Sequence, residues 1–363
     1  MARLFENRLS PGCAHPAVTS APKVAWRILA IVLPSRRPRG ASAARLLVLS
    51  LFGLALLVGL CHAFVPRTAR PPVADAARSA ARPTEAPKQL APVLHTVAIG
   101  GAQRTYRSYV PTMVTGRLPL VMVLHGRNQS WTTAVEQTGF LGLARRGQAI
   151  LVYPDGIGRS WNAGSGCCGV AATKGLPDVA FVEAVLSDAQ RVLPIDPTRI
   201  YLVGYSNGGK LGYSLACQHP TMFAAMATYG SVPLAACRPG TAPTPYLLAA
   251  GQQDIVLPFN GASRAHPPLS PVRTAVGWLR TQDGCTGAAT TATVGHAVVQ
   301  RWTTCRAGSE VQSVVYSDVG HTWPAVSKNG SPSVSNLIWA FLAEHRLRTL
   351  PLSQVQAATE PTP

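Results

Sequence analysis

Continuous apolar runs alternate with segments of helical periodicity through most of the chain, and this order restricts the fold more than any other feature. The runs are bounded by Gly, Pro or polar residues, which is typical of strands buried on both faces. They lie at 118–124, 148–154, 199–204, 223–230, 245–251 and 311–317. Helices are predicted over 178–193, where Asp178 is the expected N-cap, and over 208–219 and 334–347. Strands joined by helical crossovers predict a single α/β domain with a mostly parallel central sheet and helices on both faces.

Composition sets the predicted limits of that domain, at residues 93–348. Residues 66–92 are rich in Pro, Ala and Arg, so they bury little apolar surface and are expected to form a disordered linker. Residues 349–363 are expected to be a flexible tail. With 47% hydrophobic and 13% charged residues among 363, the whole chain is too apolar for a disordered protein.

The N-terminal part predicts export. Residues 1–45 form a basic segment, and residues 46–65 begin with fifteen uncharged residues that suit the apolar core of a signal peptide or a signal anchor. Cleavage is left open, so the expected location is extracellular or periplasmic, with an uncleaved anchor as the one expected membrane contact. Of the 33 Lys and Arg residues, 13 precede residue 93. The net charge of +18 is therefore interpreted as part of the membrane-targeting signal and not as a binding surface, and no nucleic-acid partner is expected.

Six of the eight cysteines fall in the predicted domain. An even number beyond an export signal indicates disulfides. The pairs Cys217–Cys237 and Cys285–Cys305 are predicted because each closes a short loop. Cys167 and Cys168 are left unassigned, since adjacent cysteines either bond to each other or take separate partners. No Cys/His group has zinc spacing, so no metal is expected.

The sharpest local signal is the segment GYSNG at 204–208, between a predicted strand and a predicted helix. This context is that of a nucleophile elbow, in which flanking glycines allow a strained turn that exposes the serine. Ser206 is therefore the candidate nucleophile. Asp254 and His321 each follow a predicted strand, in the chain order acid then base, and are the candidate orienting carboxylate and general base. Asp318 is a weaker candidate for the acid, and Asp283 and His125 are expected to serve structure.

Two further sets of residues are expected at the same edge of the sheet. The backbone N–H groups of Arg127 and Asn207 are the candidate oxyanion donors, the first from the loop HGRN after strand 118–124. Trp161 and Trp323 lie in loops near the predicted site and are candidates for contact with substrate.

Several motifs occur together in one order: VLHG, YPDG, SWNAGSGCCG, DVAFV, DPTRIYLVGYSNGG and GHTWP. In this respect the chain resembles the polyhydroxybutyrate depolymerase and feruloyl esterase group of secreted α/β-hydrolases, close to carbohydrate esterase family 1. The resemblance spans about residues 95–345. It implies an α/β-hydrolase fold, a serine carboxylic ester hydrolase without cofactor or metal, and a triad of Ser206, Asp254 and His321.

The expected activity is hydrolysis, through an acyl-enzyme, of polyhydroxybutyrate-type oligomers or of feruloyl or acetyl esters. The partner is then an ester substrate: a small ester, an oligomer or an esterified polysaccharide. Two alternatives remain, a cell-envelope acyltransferase that uses the same triad and a catalytically silent envelope binding protein.

Overall fold

The structure is a computed structural model that describes residues 90–347, apart from Val114 and Lys328. The predicted segments 1–45 and 46–65, nearly all of the linker at 66–92 and the tail at 349–363 lie outside the described residues. Within the described part of the chain, no helix is both long enough and apolar enough to cross a lipid bilayer.

Ten strands and seven helices make up the described domain. The strands are β1 (Val93–Ile99), β2 (Ala102–Tyr109), β3 (Leu118–Leu124), β4 (Ile150–Pro154), β5 (Ile195–Tyr205), β6 (Ala225–Tyr229), β7 (Tyr246–Gly251), β8 (Thr290–Val294), β9 (Ala297–Trp302) and β10 (Val311–Tyr316). The helices are α1 (Trp131–Thr138), α2 (Leu141–Arg145), α3 (Gly169–Thr173), α4 (Asp178–Val192), α5 (Asn207–Gln218), α6 (Val272–Asp283) and α7 (Val334–Ala343).

The strands form one sheet in the order β1-β2-β4-β3-β5-β6-β7-β10-β9-β8. The six central strands, from β4 to β10, run parallel, and an antiparallel pair flanks them at each edge. The predicted α/β-hydrolase architecture is therefore confirmed. The parallel centre brings the carboxyl ends of β3, β5, β7 and β10 to the same edge.

Both faces of the sheet are buried because the side chains of each strand alternate between two cores. In β3, Leu120, Met122 and Leu124 pack into the core covered by α4, α5 and α6. Val121 and Val123 pack into the opposite core, covered by α1, α2 and α7. This double burial explains why the central strands read as continuous apolar runs.

The flanking strands and α6 are features that the apolar runs do not predict. β2 carries the polar sequence AQRTYRSY, and all five residues of β8 are exposed. β8 is the outermost strand at one edge, and β2 is the second strand from the other edge, between β1 and β4. Neither has the continuous burial of the central strands.

The predicted N-cap at Asp178 is wrong. Pro177 takes the N-cap position of α4, and Asp178 is the first helical residue. Its carboxylate is buried and lies 2.7 Å from a guanidinium nitrogen of Arg104. It also accepts a 2.7 Å hydrogen bond from the backbone N–H of Asn162. The acidic side chain thus joins β2, α4 and the loop before α3.

Candidate active site

Ser206 stands at a strained turn between β5 and α5. Its backbone has φ 50° and ψ −115°, a conformation that costs a non-glycine residue of the order of 1–3 kcal/mol. The turn is tightly packed: a Cβ at Gly208 would lie 2.5 Å from the carbonyl oxygen of Leu124, and one at Gly204 would lie 2.5 Å from Cα of Gly209. Glycine at both positions is therefore required for the chain to bend there.

Three side chains form a continuous hydrogen-bonded row from this turn. Nε2 of His321 lies 3.0 Å from Oγ of Ser206, and Nδ1 of His321 lies 2.6 Å from Oδ2 of Asp254. The carboxylate assigns the imidazole proton to Nδ1, which leaves Nε2 free to accept the serine proton. The other carboxylate oxygen of Asp254 accepts the N–H groups of Val256, at 2.9 Å, and Leu257, at 2.7 Å.

The order of the strands explains how residues so distant in sequence meet. Asp254 follows β7 and His321 follows β10, which are parallel neighbours, and Ser206 follows β5 at the same edge. The hydroxyl of Tyr229 donates a 2.8 Å hydrogen bond to the carbonyl of Gly320. The hydroxyl of Tyr205 donates to the carbonyl of His321. Two buried tyrosines from the sheet therefore fix the histidine loop.

The loop after β3 lies beside the serine turn, because Gly208 packs against the carbonyl groups of Leu124 and His125. His125 holds this loop: its Nδ1–H donates to the carbonyl of Gly126 at 2.8 Å, and its Nε2 accepts the N–H of Gly156 at 3.0 Å. Among the described residues, the backbone N–H of Arg127 has no acceptor. The second candidate donor, the N–H of Asn207, is at the N-terminus of α5. Their role as oxyanion donors stays a prediction.

The sequence also matches known proteins. The model of the family described as Esterase PHB depolymerase matches residues 104–242. Over these residues the chain is similar to the esterase PHB depolymerase family.

Two relatives add to this match. "Putative esterase NocK" of Nocardia uniformis is 28% identical over 290 residues, which cover 73% of this chain and 79% of that protein. Feruloyl esterase C of Emericella nidulans is 31% identical over 176 residues, 46% of this chain. The chain thus spans 62% of that relative's length. With the family match, these relatives confirm the predicted enzyme class, a carboxylic ester hydrolase.

A solved structure supports the fold. Acetyl xylan esterase from Aspergillus awamori superposes with a TM-score of 0.53 at 13% identity, covering 69% of this chain and 99% of that chain. At this identity the likeness concerns the fold alone.

Both candidate tryptophan contacts of the esterase are wrong, because both side chains are buried. Trp161 has no exposed surface, and its indole N–H donates a 2.8 Å hydrogen bond to the carbonyl of His125. Trp323 is 4% exposed, and its indole N–H donates to Oγ of Ser335 at 3.0 Å. Each indole therefore packs beneath the site rather than facing it. The position of a Trp in a loop does not by itself indicate which way the side chain points.

The side chain of Asn207 has a role that the motif alone does not predict. Its Oδ1 accepts the backbone N–H of Trp161 at 2.7 Å, and its Nδ2 donates to the backbone carbonyl of the same residue at 2.9 Å. The residue after the candidate nucleophile therefore holds the loop 160–168 against the elbow.

Three disulfides are present in the described domain of the esterase. They join Cys217 to Cys237 and Cys285 to Cys305, the two predicted pairs. Cys167 is bonded to Cys168, which resolves the alternatives left open by the sequence. The adjacent pair lies in the loop held by Asn207. Within the described residues, no group of three or more His, Cys, Asp or Glu side chains is arranged to hold a metal ion.

Proposed function

We propose that this carboxylic ester hydrolase is an exported serine esterase that works through an acyl-enzyme on Ser206. The observation that carries the proposal is the unbroken row from Oγ of Ser206 through His321 to Asp254, at 3.0 and 2.6 Å. A serine hydroxyl that is hydrogen bonded to an imidazole can act as a nucleophile, because the imidazole accepts its proton. A carboxylate on the other side of the imidazole stabilises the positive charge that then forms.

The reaction follows from the geometry. As Oγ of Ser206 attacks the ester carbonyl, its proton passes to Nε2 of His321, and Asp254 stabilises the imidazolium through Nδ1–H. The N–H groups of Asn207 and Arg127 are the proposed donors to the oxyanion. The imidazolium then gives its proton to the leaving alcohol. In the second half, His321 takes a proton from water as the water oxygen attacks the acyl carbon. The imidazolium then returns this proton to Oγ of Ser206 as the acid is released.

Polyhydroxybutyrate-type oligomers and feruloyl or acetyl esters are the proposed substrates. The support is the family match and the likeness to a feruloyl esterase C. Export is supported by the basic segment followed by the apolar run at 46–60, and by three disulfides, which form in oxidising compartments.

The test is hydrolysis of an ester panel by the full chain with its disulfides formed. The panel contains p-nitrophenyl acetate, p-nitrophenyl butyrate, methyl ferulate and a hydroxybutyrate trimer. Turnover is expected, with a loss of about a thousandfold or more in Ser206→Ala. Ser317→Ala, which changes an exposed serine after β10, is the matched control. No turnover by folded protein, or turnover that survives in Ser206→Ala, would contradict the proposal.

A further inference from the structure

The loop after β3 holds one peptide unit from two sides. This unit joins Gly126 to Arg127, and its N–H is the proposed oxyanion donor of Arg127. Its carbonyl oxygen, on Gly126, accepts Nδ1–H of His125 at 2.8 Å and the backbone N–H of Gln129 at 3.2 Å. The peptide is trans, so its N–H points away from these two donors. The bonds that fix the carbonyl therefore also fix the direction of the N–H.

The side chain of Gln129 adds a further contact to the same loop. Its Oε1 accepts the backbone N–H of Gly126 at 2.9 Å, so Gln129 binds both backbone groups of Gly126. The N–H of Asn128 donates to the carbonyl of Arg159 at 2.7 Å. Within the part of the chain that the structure describes, the N–H of Arg127 is then the one of four consecutive N–H groups that has no acceptor.

Gln137 determines which way the amide of Gln129 faces. It lies on α1, and its Oε1 accepts Nε2–H of Gln129 at 2.7 Å. If the amide of Gln129 were turned over, two donors would face each other at Gly126 and two oxygens would face each other at Gln137. The pair of glutamines therefore keeps Oε1 of Gln129 on the loop and connects this loop to α1.

The same loop packs against the triad through Tyr205, the residue before Ser206. A Cβ at Gly126 would lie 2.8 Å from Cδ1 of Tyr205 and 3.0 Å from Oε1 of Gln129, so glycine is needed for both contacts. The ring of Tyr205 lies 5.2 Å from that of His321, measured between the ring centroids. One aromatic ring thus separates the loop from the histidine of the triad. A shift of the loop would change its position relative to the reacting carbonyl.

We propose that Gln129, oriented by Gln137, is a positioning residue for ester hydrolysis: it holds the peptide between Gly126 and Arg127 so that its N–H donates to the oxyanion. This inference rests on the proposed function, since it concerns the oxyanion formed at Ser206. A donor that is fixed before the reaction needs no reorganisation as the charge develops. The effect of Gln129 therefore belongs to the transition state, where the charge on the ester oxygen is largest.

The test removes the side-chain acceptor from the loop, in the full chain with its disulfides formed. In Gln129→Leu, kcat for p-nitrophenyl butyrate is expected to fall about tenfold or more, because loss of an oxyanion donor costs about a hundredfold or more and here the donor is displaced rather than removed. KM is expected to change by less than about twofold, since acylation and deacylation both pass through an oxyanion and slow together.

Butylboronic acid gives a second measurement that a merely structural role of Gln129 would not change. Its adduct with Oγ of Ser206 is tetrahedral and negatively charged, as the transition state is. In Gln129→Leu its inhibition constant is expected to rise by a factor similar to the fall in kcat.

Gln137 offers a matched pair of variants. Gln137→Glu keeps an oxygen for Nε2–H of Gln129 and is expected to retain the wild-type kcat. Gln137→Leu removes that oxygen and is expected to lower kcat about two- to fivefold, the effect of one neutral hydrogen bond. Gln282→Leu is the control: it removes a half-buried amide that donates to the carbonyl of Ala242 at 3.3 Å, before β7, and both kcat and the inhibition constant are expected to stay unchanged.

Urea denaturation establishes that each variant is folded. The inference would be overturned if folded Gln129→Leu kept the wild-type kcat, or if its kcat fell while the inhibition constant of butylboronic acid stayed the same. Should Gln129→Leu not fold, equal kcat in Gln137→Leu and Gln137→Glu would overturn it. Absence of Ser206-dependent turnover in the wild type would instead overturn the proposed function.

Discussion

The side-chain amide of Asn207 forms hydrogen bonds with both backbone groups of Trp161, at 2.7 and 2.9 Å. One residue therefore offers its backbone N–H at the serine turn and, through its side chain, holds the neighbouring loop. The carbonyl of Trp161 has a second donor, the N–H of Cys168 at 3.1 Å, whereas its own N–H depends on Asn207. The loop that carries the adjacent cysteines is thus fixed from the elbow.

Asn207→Ala is expected to lower the free energy of unfolding by about 1–3 kcal/mol, because it leaves the buried N–H of Trp161 without an acceptor. Urea denaturation with disulfides intact measures this change. Asn336→Ala, at an exposed position of α7, is the matched control and is expected to change stability by less than about 0.5 kcal/mol. Equal stability of the two variants would show that the amide does not fix the loop.

Tyr229→Phe is expected to reduce kcat by about two- to tenfold, the effect of one neutral hydrogen bond, because its hydroxyl holds the carbonyl of Gly320 next to His321. Steady-state hydrolysis of p-nitrophenyl butyrate measures the change. Tyr201→Phe removes a comparable bond, to the carbonyl of His345 after α7, and is the control. If both variants lose the same amount of activity, the effect is on the fold and not on the histidine loop.

The ion pair between Arg104 and Asp178 is almost completely shielded from water, with side chains 3% and 0% exposed. Arg104→Met is expected to destabilise the protein by about 3–5 kcal/mol, because the carboxylate of Asp178 stays buried without its cation. Thermal and urea unfolding measure the loss. Asp178→Asn added to that variant is expected to restore part of it.

The control for that pair is Arg191, which is bound to Asp188 at 2.5 Å but is 73% exposed. Arg191→Met is expected to cost less than about 1 kcal/mol, since water screens an exposed pair. A similar cost for Arg104→Met and Arg191→Met would contradict the account of the buried pair.

Asp283 makes stability depend on pH. Burial raises its pKa to about 7, although the hydroxyl of Ser309 and the N–H of Thr244 donate to its carboxylate and oppose the rise. The folded state therefore holds a proton here that the unfolded chain has already lost, so this group's contribution to stability falls as pH rises from about 4 to 7. Asp283→Asn removes that penalty, and its stability relative to wild type is expected to be higher at pH 8 than at pH 5.

Asp196 provides the matched comparison for the pH effect. Burial would raise the pKa of its carboxyl, but hydrogen bonds from Thr198 and Arg199 outweigh it and lower the pKa to about 2. Its stabilising effect is present above the ordinary pKa of an aspartate and is lost only in strong acid. Asp196→Asn is therefore expected to have the same effect at pH 5 and pH 8. Urea denaturation at pH 5 and pH 8 measures the stability of each variant relative to wild type. If this relative stability changed equally with pH in Asp283→Asn and Asp196→Asn, the role of Asp283 would be refuted.

The central strands and the three candidate triad residues could be predicted because burial on both faces and strand-end loops leave a local signal. The apolar run of β3 shows its double burial directly, and the segment GYSNG shows the turn that Ser206 requires. Parallel strand order then places Asp254 and His321 at the edge of the sheet that carries Ser206.

Other features depend on contacts between segments far apart in sequence, which no local pattern records. Trp161 is buried by Phe181 and His125, from different parts of the chain, so its orientation could not be predicted from its loop. The Asp178 carboxylate contacts Arg104 of β2, the second strand from the sheet edge, which has no continuous apolar run.

The central claim is that Ser206 becomes acylated during ester hydrolysis. The most direct measurement is rapid acid quenching of the full chain with p-nitrophenyl butyrate, followed by peptide mass analysis. We expect a burst of nitrophenol and a butyryl group on the peptide that contains Ser206, with neither in Ser206→Ala. A burst with the acyl group on another residue, or hydrolysis by folded Ser206→Ala at the wild-type rate, would contradict the account.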